Sequence, residues 1–333
     1  MINAILGKDS DSIWSAVLVL VVFAIIIMCA TFRYANAADI KQKSYASPEE
    51  AVKALIDALR INNKAELLAV LGPDGKEIIS SGDEVADTEA REHFISDYKE
   101  KNDLEKESPD KVVLSVGQDD WPLPIPIVKK DGRWVFDTEA GKEELLNRRI
   151  GRNELNTIDV MHAFVDAQRE YASKDRNGDG TIEFAQKIIS TSGKEDGLYW
   201  EAKEGGEESP FGPLIAEAAK GGYKYTEKKT QNGHPSPYHG YFFKILKGQG
   251  PNAPGGHYDY VVNGKMILGY GLLAYPASYG NSGVMTFIIN QDDVVYQKDL
   301  GEDTAKIAES ITTYDPDKTW TKVGDADEVP EKP

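Results

Sequence analysis

Cysteine is almost absent: Cys29 is the only one in 333 residues, so neither an intrachain disulfide nor a thiolate metal cage is available. Positive charge is also scarce. Lys and Arg number 38 against 55 Asp and Glu, giving a formal net charge of −17, and no basic cluster interrupts that balance. Nucleic-acid affinity rests on Lys and Arg that neutralise phosphates, so a phosphate backbone is excluded as partner. Histidine occurs five times, and no unit recurs at a period of 20 to 50 residues, which excludes a solenoid. What the chain does have is 41% hydrophobic residues, enough to build cores and to exclude wholesale disorder, and a length that favours two domains.

Only one long apolar run exists. Residues 13–32 carry no charge, and twenty residues at about 1.5 Å each span a bilayer core of about 30 Å. Arg33 and Tyr34 follow, then Ala35-Asn36-Ala37, a small-x-small pattern of the kind that signal peptidase cuts. Two readings follow: residues 1–37 as a cleaved signal peptide, or residues 13–32 as a retained inner-membrane anchor. Both place Asp39 onward outside the cytoplasmic membrane, periplasmic or secreted, with membrane contact only through this segment. Cys29 lies within it, so cleavage at Ala37 leaves a chain without cysteine.

The exported part reads as α+β. Ser47-Pro48-Glu49-Glu50 is a helix start, with a Ser N-cap, Pro at the first helical position and Glu three residues after the cap. Val52, Leu55, Ile56 and Leu59 continue it at helical spacing. A second helix through Leu67 and Leu68 ends at Gly72-Pro73, and a third runs from Thr88 to Lys101. Residues 111–116 read as a strand, and 125–129 with 133–136 as a hairpin turning at Asp131-Gly132. Helices followed by a curled sheet predict an NTF2-like unit over residues 45–150.

A second unit is predicted over 151–322. Leu155, Ile158, Met161 and Val165 give one apolar face to a long helix over 153–173, and a short helix is expected at 184–189 and another at 214–219. Strands at 241–246, 258–262, 266–275, 285–289 and 294–297 then form an antiparallel meander. A long helix on such a sheet is pilin-like. Residues 323–333 read as a disordered acidic tail.

The most specific motif is Asp175-Arg176-Asn177-Gly178-Asp179-Gly180-Thr181-Ile182-Glu183-Phe184-Ala185-Gln186, which follows the EF-hand loop template. Asp175, Asn177 and Asp179 stand at ligand positions 1, 3 and 5, Gly180 at the sharp turn, the Thr181 carbonyl at position 7 and Glu183 at position 9. Gln186 replaces the bidentate Glu of position 12, so the expected ligand is one weakly held structural Ca²⁺; the alternative is a turn that merely ends the preceding helix. His234, His239, His257 and Asp259 are types that ligate metal, but their prolines and spacing place them on irregular loops. Ser282 in Gly280-Asn281-Ser282-Gly283 lacks the strand-to-helix elbow of a nucleophile and reads as a turn serine. Asp119-Asp120-Trp121 and Tyr199-Trp200-Glu201 pair carboxylates with aromatics, the makings of a glycan site.

Several longer stretches carry a resemblance. Residues 47–52, Asp120-Trp121-Pro122, 148–155, 167–172, the Asp-rich loop, 196–200, Tyr238-His239-Gly240-Tyr241 and 297–301 are together similar to the bacterial family catalogued as domain of unknown function 2950, over roughly residues 46–320. The resemblance implies a secreted or periplasmic protein and brings no activity, cofactor or catalytic residue with it. The expectation is an exported, envelope-associated binding or assembly protein without catalytic activity, its partner an envelope protein or cell-wall component. The alternative is a periplasmic hydrolase of cell-wall polymer working near Trp121 or Trp200.

Overall fold

A computed structural model describes residues 41–202, 205–220, 222–223 and 236–324. The apolar run at 13–32, Cys29, the Ala37 cleavage point, His234 and the tail beyond residue 324 lie outside the described residues. Among those described, no helix is long and apolar enough to cross a membrane.

The first core is built as the local signals dictate. Helix α1 (Pro48–Arg60) starts where the Ser47 hydroxyl accepts the Glu50 N–H at 3.3 Å and Glu50 accepts the Ala46 N–H at 3.1 Å. Helix α2 (Lys64–Leu71) is capped by Asn63, and a single turn, α3 (Lys76–Ile79), follows. Helix α4 (Glu84–Glu100) begins four residues earlier than the spacing predicts, because Asp83 caps it by accepting the Val85 and Ala86 N–H groups. Five antiparallel strands come next: β1 (Asn102–Ser108), β2 (Lys111–Val116), β3 (Trp121–Pro122), β4 (Ile127–Lys130) and β5 (Arg133–Phe136), in the order β1-β2-β4-β5 with β3 also on β2. The β4–β5 turn has Asp131 at φ +52° and Gly132 at φ +76°, the left-handed pair of a type I′ hairpin. Val52, Leu55 and Ile56 of α1 pack with Leu114, Ile127 and Phe136 of the sheet. The sequence pattern misses β1, which is polar at every position but Leu104 and sits at a sheet edge.

Helix α5 (Thr138–Tyr171) is longer than the predicted 153–173 and passes through residues 150–151 unbroken. Its first half is rich in Glu, Lys and Arg, good helix formers that carry no apolar period, so pattern alone does not reveal it. A Cβ on Gly141 would stand 2.3 Å from the Pro124 carbonyl oxygen, which fixes how closely the helix crosses the loop before β4. The later half of α5 supports a second core: Met161, Phe164 and Val165 pack on Leu272, Phe287 and Ile289. Leu155, expected on that face, is instead 66% exposed.

That sheet is an antiparallel meander formed by β6 (Tyr241–Leu246), β11 (Gly271–Pro276), β12 (Met285–Asn290), β13 (Tyr296–Asp299) and β14 (Thr321–Lys322), in the order β14-β13-β12-β11-β6. Short two-residue ladders, β7 (Gly248–Gln249) with β8 (Tyr258–Asp259) and β9 (Val261–Val262) with β10 (Lys265–Met266), decorate its edge. Helix α6 (Gly212–Lys220) agrees with expectation; helix α7 (Thr304–Ser310) was not foreseen. The helix expected at 184–189 is absent: the Phe184 N–H donates to Met266 O at 2.7 Å and Ile189 bridges Tyr199, so this segment is extended. Helices beside antiparallel sheets make the chain α+β.

Candidate functional site

Two polar clusters stand out, one on the surface and one buried where the two cores meet. The surface cluster is the Asp-rich loop. Its backbone wraps around Asp175, whose carboxylate accepts N–H groups from Asn177, Gly178 and Gly180 at 3.2, 2.8 and 2.7 Å. Those bonds, led by the one from Gly180, hold the Asp175 carboxyl below its ordinary range. Asp179 is lowered chiefly by the Lys265 ammonium, which reaches over from β10 to its Oδ1 at 2.7 Å and donates to the Thr181 hydroxyl at the same distance. Glu183 accepts the Asn177 amide at 2.7 Å, and desolvation, followed by the charge of Asp179, raises its carboxyl. Gln186 turns away, donating to Gly264 O at 2.7 Å.

The structure thus gathers Asp175, Asn177, Asp179, Thr181 and Glu183 into one loop and leaves Gln186 outside it. The cation it supplies is a lysine of its own chain. Among the described residues no group of three or more His, Cys, Asp or Glu side chains is arranged to hold a metal ion. As folded, the Asp179 carboxylate and the Thr181 hydroxyl are taken up by the Lys265 ammonium.

The buried cluster joins segment 77–83, helix α5 and the turns at 238–240 and 278–283. Asp83, 2% exposed, uses one carboxylate oxygen to cap α4 and the other to accept the Tyr223 hydroxyl at 2.8 Å and the Gly240 N–H at 3.0 Å. Ser81 N–H reaches both oxygens of the buried Asp87 at 3.1 Å. Arg149 donates to Glu77 O at 2.8 Å, to Asn281 Oδ1 at 2.5 Å and to Ile78 O, and burial pushes its guanidinium below its usual range against the pull of Asp87. Asn281 returns a bond to Ser80 O at 2.9 Å, and Asn153 donates to Ser282 O at 2.9 Å. Gly240, at φ +76°, has no room for a Cβ, which would lie 2.7 Å from Asn153 Nδ2.

Titratable groups in this seam are displaced from their ordinary ranges. Burial pushes the Tyr223 phenol far up, with the Asp83 charge adding to it, and pushes Tyr238 up to about 12. Burial lowers His239 although Asp83, Glu89 and Glu217 pull the other way. His239 sits at φ +50°, its ring 4.0 Å from that of Tyr238, with its N–H donating to the Tyr223 hydroxyl at 3.3 Å. Sequence reasoning singled out His239 as a loop histidine but missed Asp83, Arg149 and Tyr223. The one local signal was Asp83 as an N-cap.

The other candidates fall apart spatially or take structural partners. Ser282 is fully buried and exchanges hydrogen bonds with the Ser278 backbone. Asp120 pairs with Lys101 at 2.6 Å, while Trp121 packs edge-on to Phe94 with the Arg148 guanidinium 5.3 Å from its ring. Arg176 lies 5.0 Å from the ring centres of both Tyr171 and Trp200, and Trp200 donates to Glu207 O. His257 precedes β8 and Asp259 ends it, and they form no metal group.

The family described as protein of unknown function DUF2950 matches residues 42–323, which takes in both cores and both clusters. The chain belongs to this family. No curated protein and no solved structure matches it. Membership in DUF2950 covers the whole described molecule except its first and last residues, so the seam and the Asp-rich loop are both parts of the family domain.

Proposed function

We propose that the protein is an exported, envelope-associated binding or assembly module, with an NTF2-like first unit and a pilin-like second unit, whose partner is an envelope protein or cell-wall component. The observation that carries this reading is the use made of buried charge. The buried carboxylate of Asp83 ties one unit to the other through Tyr223 and Gly240, the half-buried Arg149 does so through Asn281 while also holding the Glu77 and Ile78 carbonyls, and the buried Asp87 fixes Ser81 beside them. Buried charges whose hydrogen bonds are made to the fold itself build a rigid shape rather than present a reactive atom. Helices ahead of a curled antiparallel sheet support the NTF2-like description, and α5 laid on a meander supports the pilin-like one; both are analogies of fold and carry no activity.

Calcium enters this reading as a competitor for the place of Lys265 on Asp179 and Thr181. The test of the main proposal is affinity capture from an envelope fraction with the full chain, beside turnover assays on glycan, ester and phosphate substrates. Specific capture without turnover is expected. Turnover that disappears in His239→Asn while the fold is retained would overturn it in favour of a hydrolase working at the seam.

A further inference from the structure

The outer face of the second sheet, opposite α5, carries its own small core of Leu246, Leu273, Ile288 and Tyr314, covered by α7 and the segment 311–320. That cover does not fill the space beneath it. A cavity of about 280 Å³ opens between β12, β13, α7 and the segment. Ligand pockets for drug-sized molecules begin at about 300 Å³, so this one suits a smaller guest.

Its lining is part apolar, part charged and part neutral polar, the last from Ser310, Thr312 and Thr313. Ile288, Leu300, Ile307, Ile311 and Trp320 make an apolar wall. Lys298 brings a cation: its Nζ donates to the Thr319 hydroxyl at 2.7 Å and stands 5.8 Å from the Trp320 ring centre. Asp315 brings an anion, steadied by the Asn252 N–H at 2.8 Å and the Asn252 amide at 3.1 Å. Neither charge has an ion-pair partner among the described residues, in contrast to the many surface pairs elsewhere, and the two do not pair with each other. Asp317, the acid whose carboxylate feels Lys298, is already held by the Thr319 N–H and hydroxyl. An ammonium and a carboxylate without a salt-bridge partner beside an apolar wall are complementary to a molecule with one charge of each sign and one apolar arm. Charge-assisted hydrogen bonds in such a half-enclosed site are stronger than neutral ones.

We propose that this cavity binds a free apolar amino acid of about the size of leucine, with its carboxylate on Lys298, its ammonium on Asp315 and its side chain against Ile288, Ile307 and Trp320. The site is separate from the seam and the Asp-rich loop and does not depend on the envelope reading.

Calorimetry and tryptophan fluorescence on the full chain would test it, with L-leucine, isocaproate (leucine without its ammonium) and isoamylamine (leucine without its carboxylate) as probes. Leucine is expected to bind, and each analogue at least tenfold more weakly. Lys298→Met should weaken leucine at least tenfold. Ile307→Trp, at a position 37% exposed on the cavity rim, should fill the space and abolish binding while the melting temperature stays near that of the unaltered protein. Silence from leucine at millimolar concentration, equal binding of all three probes, or leucine binding that survives Ile307→Trp would each overturn the proposal.

Discussion

The seam and the Asp-rich loop use the same chemistry under opposite conditions. In the loop, carboxylates bond to backbone two to five positions away and stand in water. At the seam, Gly240 N–H reaches Asp83 across 157 positions and the Asn281 amide reaches Ser80 across 201, largely out of water. A hydrogen bond that water can replace contributes little net stability, whereas a buried group that loses its partner has no substitute. The loop should therefore tolerate change, and the seam should not.

Asp83→Asn is the sharpest way to break that contrast. The carboxylate accepts at four donors, and an amide can keep only half of that capacity, turning an NH₂ toward either the helix cap or the Gly240 N–H and Tyr223 hydroxyl. Leaving buried donors unsatisfied costs roughly 1–3 kcal/mol each, so a loss of about 3 kcal/mol is expected in urea unfolding. Tyr223→Phe removes the bond to Asp83 and the longer one from the His239 N–H and should lose about 1–2 kcal/mol. If both variants matched the unaltered protein within 0.5 kcal/mol, roughly the spread of an indifferent surface change, the seam would be no different from the loop.

Arg149→Met comes next. It keeps most of the side-chain length but removes every donor to Glu77, Ile78 and Asn281, a loss of about 2 kcal/mol for hydrogen bonds from a charged group. Because these bonds join segment 77–80 to the 278–283 turn, their removal should also separate the melting of the two cores. Calorimetry should show one transition in the unaltered protein and two in the variant. A single transition shifted bodily downward would mean that α5 alone couples the cores.

The contrast also marks what could be read from the sequence. The Asp-rich loop was legible because its partners are neighbours: Asp175 and Gly180 lie five positions apart and the spacing itself encodes the turn. The first helices, the Asp131-Gly132 hairpin and the meander strands were legible for the same reason, each carrying a local cap, turn or apolar period. The seam was not, because nothing near Arg149 or Asp83 announces a partner far along the chain. Lys265 illustrates the boundary: the loop's oxygens were foreseen, but the cation filling them arrives from another ladder, 86 positions on. The first half of α5 and the whole of β1 were hidden for a different reason, since charged residues on a solvated face leave no apolar rhythm.

Acid should separate the buried seam from a partly exposed carboxylate outside the Asp-rich loop, Asp196, by pH. Burial keeps His239 below its ordinary 6.5, so the folded state binds its proton less readily than the unfolded chain. Stability from the seam is then present above 6.5 and falls as the pH drops below it. Asp196 behaves differently. Burial tends to raise it, but hydrogen bonds from Lys187 and Thr191 more than offset that and hold it at about 2, down from 3.8. Its contribution is present above about pH 4 and lost between there and pH 2. With 36% of the side chain exposed, solvent screening cuts the nominal value to about 1 kcal/mol. Melting temperature against pH should show both falls, the upper one removed by His239→Asn, which tolerates the positive φ, and the lower one by Asp196→Asn.

Lys265→Met should have the smallest effect on stability, because its bonds to Asp179 and Thr181 lie at the surface, where water screens an ion pair. Its effect on the loop's chemistry should be larger than its effect on the fold. With the ammonium gone, Asp179 loses the partner that chiefly lowers it and faces Asp175 and Glu183 without a compensating cation. Calcium titration should then give more heat in Lys265→Met than in the unaltered protein, and none in the double variant Lys265→Met with Asp175→Ala. If all three were silent, the loop would be a turn that its own lysine closes, because without position 12 the remaining oxygens do not surround a divalent ion.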